Sequence, residues 1–402
     1  MAPHTSKAKA QSPASFARAP SPGPNLAITP PDGEELPMLE LELLHNFTTK
    51  THTTLAADST LWEFWRDDVV QMGLACDYIM RAVLAVSALH LAYHRPDRRD
   101  FYTESGILLH QKAARSAMRV MAADHKIDKD QAANLFVFSM LTMFFALASP
   151  RRSNPDGTFF IGESGFPDWA FLLSGSKSIM DVLGSRGSET AAAPFLHYGG
   201  MRWRARRAML DALKQGKGKS ALSTTPPAGA GAGPAGKAGH EEEEQRPGVS
   251  EPESLLAPLR ARIIAAAAAA ASASSTTASG EPGRPDHLLH TYTHAVDELE
   301  LALVAQRDPA APRDVLDAMV WLWEVSDSLV PLLRVPTQEA VAIFAHFCVL
   351  LKHHESHWWL QGWADHIMAR AHEILDAEHR EWIEWPIREI GRMGLPRTGP
   401  ER

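Results

Sequence analysis

Cysteine is scarce: Cys76 and Cys348 are the only two in 402 residues. Two thiols cannot build a disulfide framework, a four-thiolate zinc site or an iron–sulfur cluster unaided, and they read as small apolar residues in a reducing compartment. An excess of positive charge is missing as well. Forty Lys and Arg stand against 48 Asp and Glu, a formal net charge of −8, so any nucleic-acid contact would need a local basic patch. Long apolar runs are few. The most apolar, Leu135 to Ala148, falls short of the about 20 residues that cross a bilayer and runs into Ser149-Pro150-Arg151-Arg152. It is expected to be a buried core helix, with no stable membrane insertion. The Pro/Ser-rich stretch from Met1 to Pro37 has no apolar segment of an export signal, so the sequon Asn46-Phe47-Thr48 is expected to stay unmodified. No period-two alternation bounded by hairpin turns is found, which argues against a sheet, and no repeat of fixed period, which argues against a regular solenoid.

What the chain does have is 45% hydrophobic residues, enough for a sizeable core. Composition shifts near Pro37 and again after Leu213, where Lys/Gly, then Ala/Gly/Pro, then Glu241 to Glu244 follow one another. The divisions expected are a disordered arm over 1–37, a helical domain in two parts over 38–212 and 287–395, a low-complexity linker over 213–286 and a tail over 396–402. The linker is expected to hold one helix near 253–272. Without arm and linker about 290 residues remain, near the upper limit for a single core.

Apolar spacing of three and four predicts a helix through Ile79, Val83, Leu84, Ala88, Leu89, Leu91 and Ala92, stopping at His94-Arg95-Pro96. A second, Phe101 to Met121, places Ile107, Leu108, Ala114, Met118 and Met121 on one face and turns Lys112, Arg115 and Arg119 outward. Asp128 or Asp130 can cap the Leu135 helix, which Pro150 follows. Pro167-Asp168 opens another from Trp169 to Leu183, closed by Gly184. Further helices are expected over Tyr292–Val304, Val315–Leu333, Ala340–Leu351 and Trp358–Ile390, the last broken at Pro386. The fold class is all-α, a multi-helix orthogonal bundle with a disordered insertion.

Candidate chemistry is thin. His287, His290 and His294, and separately His346, His353, His354 and His357, have helical spacing, yet neither group forms His-Glu-x-x-His and no carboxylate completes a ligand set. No metal is assigned to them. Gly231 to Lys237 imitates a phosphate loop, but Ala238 stands where magnesium needs Ser or Thr. Ser174-Gly175-Ser176-Lys177 matches an activated-serine spacing without its companion elements. No enzyme constellation survives. Arg202, Arg204, Arg206 and Arg207 form the one compact basic patch. They could serve as a nuclear import signal or touch phosphates, but their alternation with Trp203, Met209 and Leu210 is what the wet face of an amphipathic helix looks like.

Aromatic and Met side chains crowd the helices. Phe136, Met140, Met143 and Phe144 lie on a segment apolar nearly all round, which must be surrounded. With Trp169, Leu172, Leu173, Phe344 and Phe347 they could line an adaptable apolar pocket, or simply fill the core.

At these residues a resemblance emerges. Leu41 to Thr49, Ala85 to Pro96, Leu135 to Ser139 with Ala146 to Pro150, Trp169 to Gly175, Ala345 to Leu351 and Trp358 to Trp363 resemble, in order, the regulatory region of fungal binuclear zinc-cluster transcription factors, most of all the sterol uptake control subgroup. The resemblance implies an all-helical, non-enzymatic domain that holds a sterol in an apolar pocket, governs RNA polymerase II transcription and shuttles from cytoplasm to nucleus. It implies no cofactor other than the zinc cluster of such factors. That cluster needs six bridging cysteines, which this chain does not supply, so direct DNA binding by the chain alone is not expected. Partners implied are a sterol or other apolar ligand, a second copy of the chain, or a full-length zinc-cluster regulator. The alternative is an interaction module derived from such a regulator, pairing with relatives through its C-terminal helices.

Overall fold

The computed structural model describes residues 36–123, 127–149, 169–214, 254–274, 284–307 and 314–394. All of its regular elements are helical, and no strand occurs among the described residues. In chain order the helices are α1 (Met38–Thr49), α2 (Ser59–Glu63), α3 (Val69–Ala75), α4 (Asp77–His94), α5 (Arg99–Ala122), α6 (Lys129–Ala148), α7 (Trp169–Leu183) and α8 (Ala193–Lys214). After them come α9 (Ala257–Ser274), α10 (Arg284–Arg307), α11 (Val315–Val325), α12 (Pro331–Arg334), α13 (Gln338–His353), α14 (Trp363–Ile374), α15 (Ala377–Arg380) and α16 (Glu384–Gly394). The helix expected within the linker is α9. Almost all of the expected arm, the rest of the linker, the tail and Pro150 lie outside the described residues. The packing described below is that of the body from Glu40 onward.

Three helices are buried over most of their length, and the others wrap them. α4 buries every residue from Ala82 to Ala92, and α5, α6 and α3 cover it. α6 opens with a capping box that decides between the two aspartates. The Asp128 side chain accepts from the Gln131 backbone N–H at 2.8 Å, while the Asp128 N–H donates back to Gln131 Oε1. At 20 residues α6 is longer than its apolar run suggests and reaches the length of a membrane span, yet most of it is buried inside the fold. α13 is buried from Ala340 to Leu351, is capped by Thr337, and is enclosed by α10, α11, α14 and α16.

A turn from Trp358 to Gly362 ties the halves. The Trp359 indole donates to Thr54 O at 3.0 Å and the Trp363 indole to Leu147 O at 2.7 Å. Leu147 belongs to the last turn of α6, whose carbonyls have no partner within the helix, so the indole satisfies an end that would otherwise cost desolvation. Gly362 enters α14 at φ +74, a conformation that favours glycine.

Four expectations are corrected. On α5 the apolar residues Ile107, Leu108, Met118 and Met121 face solvent, with Leu108 57% exposed. The buried face carries Tyr102, Gly106, His110, Ala113 and Ala117 instead. Small residues win because α4 presents Ala85 and Ala88 there. A Cβ on Gly106 would sit 3.2 Å from Ala85 O and 3.4 Å from Ala88 Cβ. The Val315–Leu333 helix breaks after Val325, restarting at Pro331. Pro386 does not break the C-terminal segment, since it lies in the first turn of α16, where backbone N–H groups have no helical partner. The chain turns earlier, at Asp376, whose carboxylate caps α15 by accepting from His379 N at 2.9 Å. α10 also starts well before Tyr292, at Arg284.

The close α4–α5 approach is testable. Gly106→Ala is expected to be nearly neutral in thermal melts, because a helix-propensity gain of about 1 kcal/mol offsets a tight contact. Gly106→Val should lower stability by about 1–3 kcal/mol through overpacking against the Ala85 carbonyl.

Candidate functional site

The aromatic residues expected to line a pocket lie inside the core. Phe136, Met140, Met143 and Phe144 on α6 and Phe344 and Phe347 on α13 are all buried. Phe144 meets Trp65 edge-on at 5.6 Å and Trp359 at 4.9 Å, and Phe136 meets Phe195 at 5.8 Å. Phe347 stacks on Trp321 at 4.6 Å, with Phe344 beside it at 5.5 Å. Edge-on and offset geometries of this kind favour aromatic pairs beyond their area burial. Trp169, Leu172 and Leu173 fall on the backbone of α7, and their side chains lie outside the described residues. None of the expected pocket residues lines the open groove of about 630 Å³ bounded by His287, Leu288, Leu332, Val335 and Thr337.

A buried polar network, unanticipated from sequence, joins the segments that carry the resemblance. The Asn46 amide donates to Thr51 Oγ1 and to Ser87 Oγ, each at 3.0 Å, and Ser87 donates to Leu43 O at 2.6 Å. Thr51 Oγ1 lies 2.9 Å from His90 Nδ1, and His90 Nε2 lies 3.0 Å from His94 Nε2. The Trp358 ring covers His90 at 4.9 Å, and its indole donates to Thr54 Oγ1 at 2.9 Å. Residues from Leu41–Thr49, Ala85–Pro96 and Trp358–Trp363 thus close on one another, and Trp363 reaches the end of the Leu135 helix. The sequon asparagine is 6% exposed, with its amide engaged twice.

The basic patch sits on α8 and faces carboxylates of α10 and α11. Arg202 pairs with Asp317, and Arg206 and Arg207 both reach Glu298, at 3.2 and 3.1 Å. Glu298 has a side chain only 3% exposed. Arg206 also donates to Glu298 O at 2.5 Å, and burial lowers its pKa despite the neighbouring carboxylates. Burial raises the Asp317 pKa, against the pull of Arg202. Tyr198 donates to Asp314 at 2.6 Å, and Asp314 also caps α11. Burial, then this carboxylate, pushes the phenol pKa up. Arg204 alone of the four is exposed. A receptor reading Arg202, Arg206 and Arg207 would have to compete with internal carboxylates.

The histidine clusters do not converge on a metal-ligand set among the described residues. His346 Nδ1 lies 2.8 Å from Ala342 O and its ring stacks on Trp385, and His353 Nδ1 lies 2.8 Å from Val349 O. His354 Nε2 lies 2.7 Å from Gln306 Nε2. On α10, His290 and His294 neighbour each other at 6.3 Å. Of the serine–lysine spacing, the side chain of Ser174 lies outside the described residues, and Lys177 pairs with Asp327. Cys348 is buried, and burial raises its thiol pKa far above the usual range.

The chain is distantly similar to fungal Zn(2)-C6 transcription factors. It is 25% identical over 363 residues to a "Zn(2)-C6 fungal-type transcription factor" of Gibberella zeae, a match covering 87% of this chain and 61% of that protein. It is 24% identical over 151 residues to "Sterol uptake control protein 2" of Saccharomyces cerevisiae, covering 37% of this chain and 16% of that protein. The chain therefore spans less than two thirds of either relative. No family model matches it, and no solved structure matches it.

Two outcomes are expected from this geometry. Glu298→Ala leaves Arg206 buried and uncompensated and should cost about 3 kcal/mol in urea unfolding, whereas Arg204→Ala should change stability by less than about 0.5 kcal/mol. The second concerns acid. Burial lowers the pKa of His90, His110 and His346 to about 4 each, from 6.5. A folded state that holds these rings neutral binds fewer protons than the unfolded chain. Their stabilisation is therefore complete above about pH 6.5 and is lost as pH falls towards 4. Stability in urea unfolding should drop between about pH 7.5 and pH 5, by about 1–2 kcal/mol per histidine, and His346→Phe should flatten that slope.

Proposed function

We propose that this chain is the regulatory region of a fungal transcriptional regulator of the zinc-cluster kind, acting in the nucleus without enzymatic activity and responding to a sterol or similarly apolar ligand. The observation that carries the reading is the similarity to the Gibberella zeae factor, which runs over 87% of the chain and is not confined to one motif. The similarity to a sterol uptake control protein supports the ligand class over a shorter stretch. The region assigned to the ligand is the aromatic and Met-rich surround of α6, with α7 packed against it and the Phe344 and Phe347 aromatics of α13 in the same core. No cofactor is assigned. DNA contact is assigned to a zinc-cluster module outside this chain, reached through a full-length relative or a further segment.

A second reading is favoured by a specific observation. Neighbouring rings close on the pocket residues, as in the Trp65–Phe144–Trp359 contact. A chain with a filled core would act instead through contact with another regulator, ligand-free.

One experiment separates the two. Purified protein is screened by lipid mass spectrometry and by thermal shift against ergosterol. A ligand that binds only the folded state, at about 100 times its Kd, stabilises by about 2.7 kcal/mol, a rise of several degrees in Tm. Co-purified sterol or a saturable rise supports the sensing role, and Met143→Ala should shrink the rise. A flat response with no bound lipid sinks the sterol reading and leaves the interaction module. The transcriptional role is read separately, by tethering the chain to a heterologous DNA-binding module. A reporter that does not respond to the tethered chain would remove it.

A further inference from the structure

One buried donor in the aromatic surround of α6 is unpaired. The Trp65 indole N–H makes no hydrogen bond among the described residues, although the residue is only 1% exposed. Four other indoles behave differently. Trp62 donates to Ala56 O, Trp321 to Ala295 O, Trp359 to Thr54 O and Trp363 to Leu147 O, all at 2.7–3.0 Å. Buried donors are paired as a rule, because an unpaired one gives up its hydration without return, so an orphan calls for a reason.

The rings around Trp65 offer it little to donate to. It meets Phe64 at 5.2 Å, Phe144 of α6 at 5.6 Å and Phe195 of α8 at 6.1 Å, each edge-on. A phenyl face gives an N–H only a weak contact. A single water suits the place poorly, since it needs about two to four polar partners and these rings supply none. The backbone carries a second mark. The Val69 N–H donates to Phe64 O, five residues back, so Phe64–Asp68 is a π-helical turn between α2 and α3. Such widened turns are rare and recur at functional sites. This one carries Phe64 and Trp65 together into the core, where both are buried.

A lone donor in an aromatic surround fits a molecule that is apolar apart from one acceptor oxygen. We infer that Trp65 is the polar anchor of the ligand site, its Nε1–H donating to the single hydroxyl or carbonyl oxygen of a sterol-like molecule seated beside Phe144. The inference rests on the ligand-responsive reading above and adds to it the polarity and orientation of the ligand. The oxygen-bearing end lies at Trp65, and the hydrocarbon body lies against Phe144 and the other rings of α6. Because the anchor is a donor, the oxygen is needed only as an acceptor, and a ketone serves as well as an alcohol. A hydrocarbon of the same shape leaves the indole orphaned and binds less tightly.

The test titrates the purified full chain with ergosterol, its 3-ketone and the 3-deoxy hydrocarbon, each delivered from cyclodextrin, and compares the three Kd values. In the wild type the alcohol and the ketone should each bind about tenfold more tightly than the hydrocarbon, as one hydrogen bond to an otherwise unpaired donor is worth. Trp65→Phe removes the N–H and keeps a ring, and should bring the three Kd values within about twofold of one another. Lost packing weakens all three ligands alike, so the ratio isolates the hydrogen bond from any structural role of the side chain. Trp65→Met, whose flexible chain fills irregular space, replaces the phenyl variant if that one does not fold. A hydrocarbon that binds the wild type as tightly as ergosterol overturns the anchor. So does a preference for the oxygenated ligands that survives in Trp65→Phe, which would leave the ligand-responsive reading standing and set the donor elsewhere. If none of the three binds the wild type, that reading falls, and the anchor falls with it.

Discussion

The turn from Trp358 to Trp363 is the constraint on which the two halves of the fold depend. It commits three indoles to bridging. Trp358 reaches Thr54 Oγ1, Trp359 reaches Thr54 O, and Trp363 reaches the last turn of α6. Each bond uses an N–H that would cost about 1–3 kcal/mol if buried without a partner. Trp359 also sets its ring against Phe144, so the polar contacts and the aromatic packing fix the same register. Because the partners come from the 51–54 turn and from α6, the turn after α13 cannot shift without disturbing α1, α4 and α6 together.

Beneath it, the network through Asn46, Thr51, Ser87 and His90 explains why polar residues interrupt otherwise apolar segments. Asn46 supplies two donors to hydroxyls from two elements, and the Ser87 hydroxyl donates its own hydrogen bond to Leu43 O. Satisfied in this way, buried polar groups specify one arrangement of α1 on α4, where an apolar contact would tolerate sliding. The neutral state of His90 follows from the same burial, and it makes the network sensitive to acid.

Element positions are legible in the sequence where periodicity meets a clear stop. α4 ends beside Arg95-Pro96, α7 ends at Gly184 with φ +48, and α13 begins where Thr337 caps it. The face of a helix is harder to read when its apolar residues do not decide the packing. On α5, pattern alone points Ile107, Leu108 and Met118 inward. What decides the matter is that α4 offers an alanine-rich groove, which admits Gly106, Ala113 and Ala117 more closely than any large side chain. The Gly106/Ala113/Ala117 stripe is the signal that could have found it. The arginines of α8 show the converse limit. Their spacing is visible, but their partners, Glu298 and Asp317, lie about a hundred residues away and beyond the linker, and no local pattern names them.

The placement of α6 limits how any ligand could act. Phe144 contacts Trp65 on one side and Trp359 on the other, so an apolar molecule entering beside it must take over contacts that now join the two halves. Binding would then be coupled to the Trp358–Trp363 turn by steric necessity, because close-packed interiors transmit displacement and do not absorb it. The shift obtained could not exceed the difference in affinity between the closed arrangement and one with the turn displaced. A ligand filling a surface groove, such as that beside Val335, has no such lever on α6.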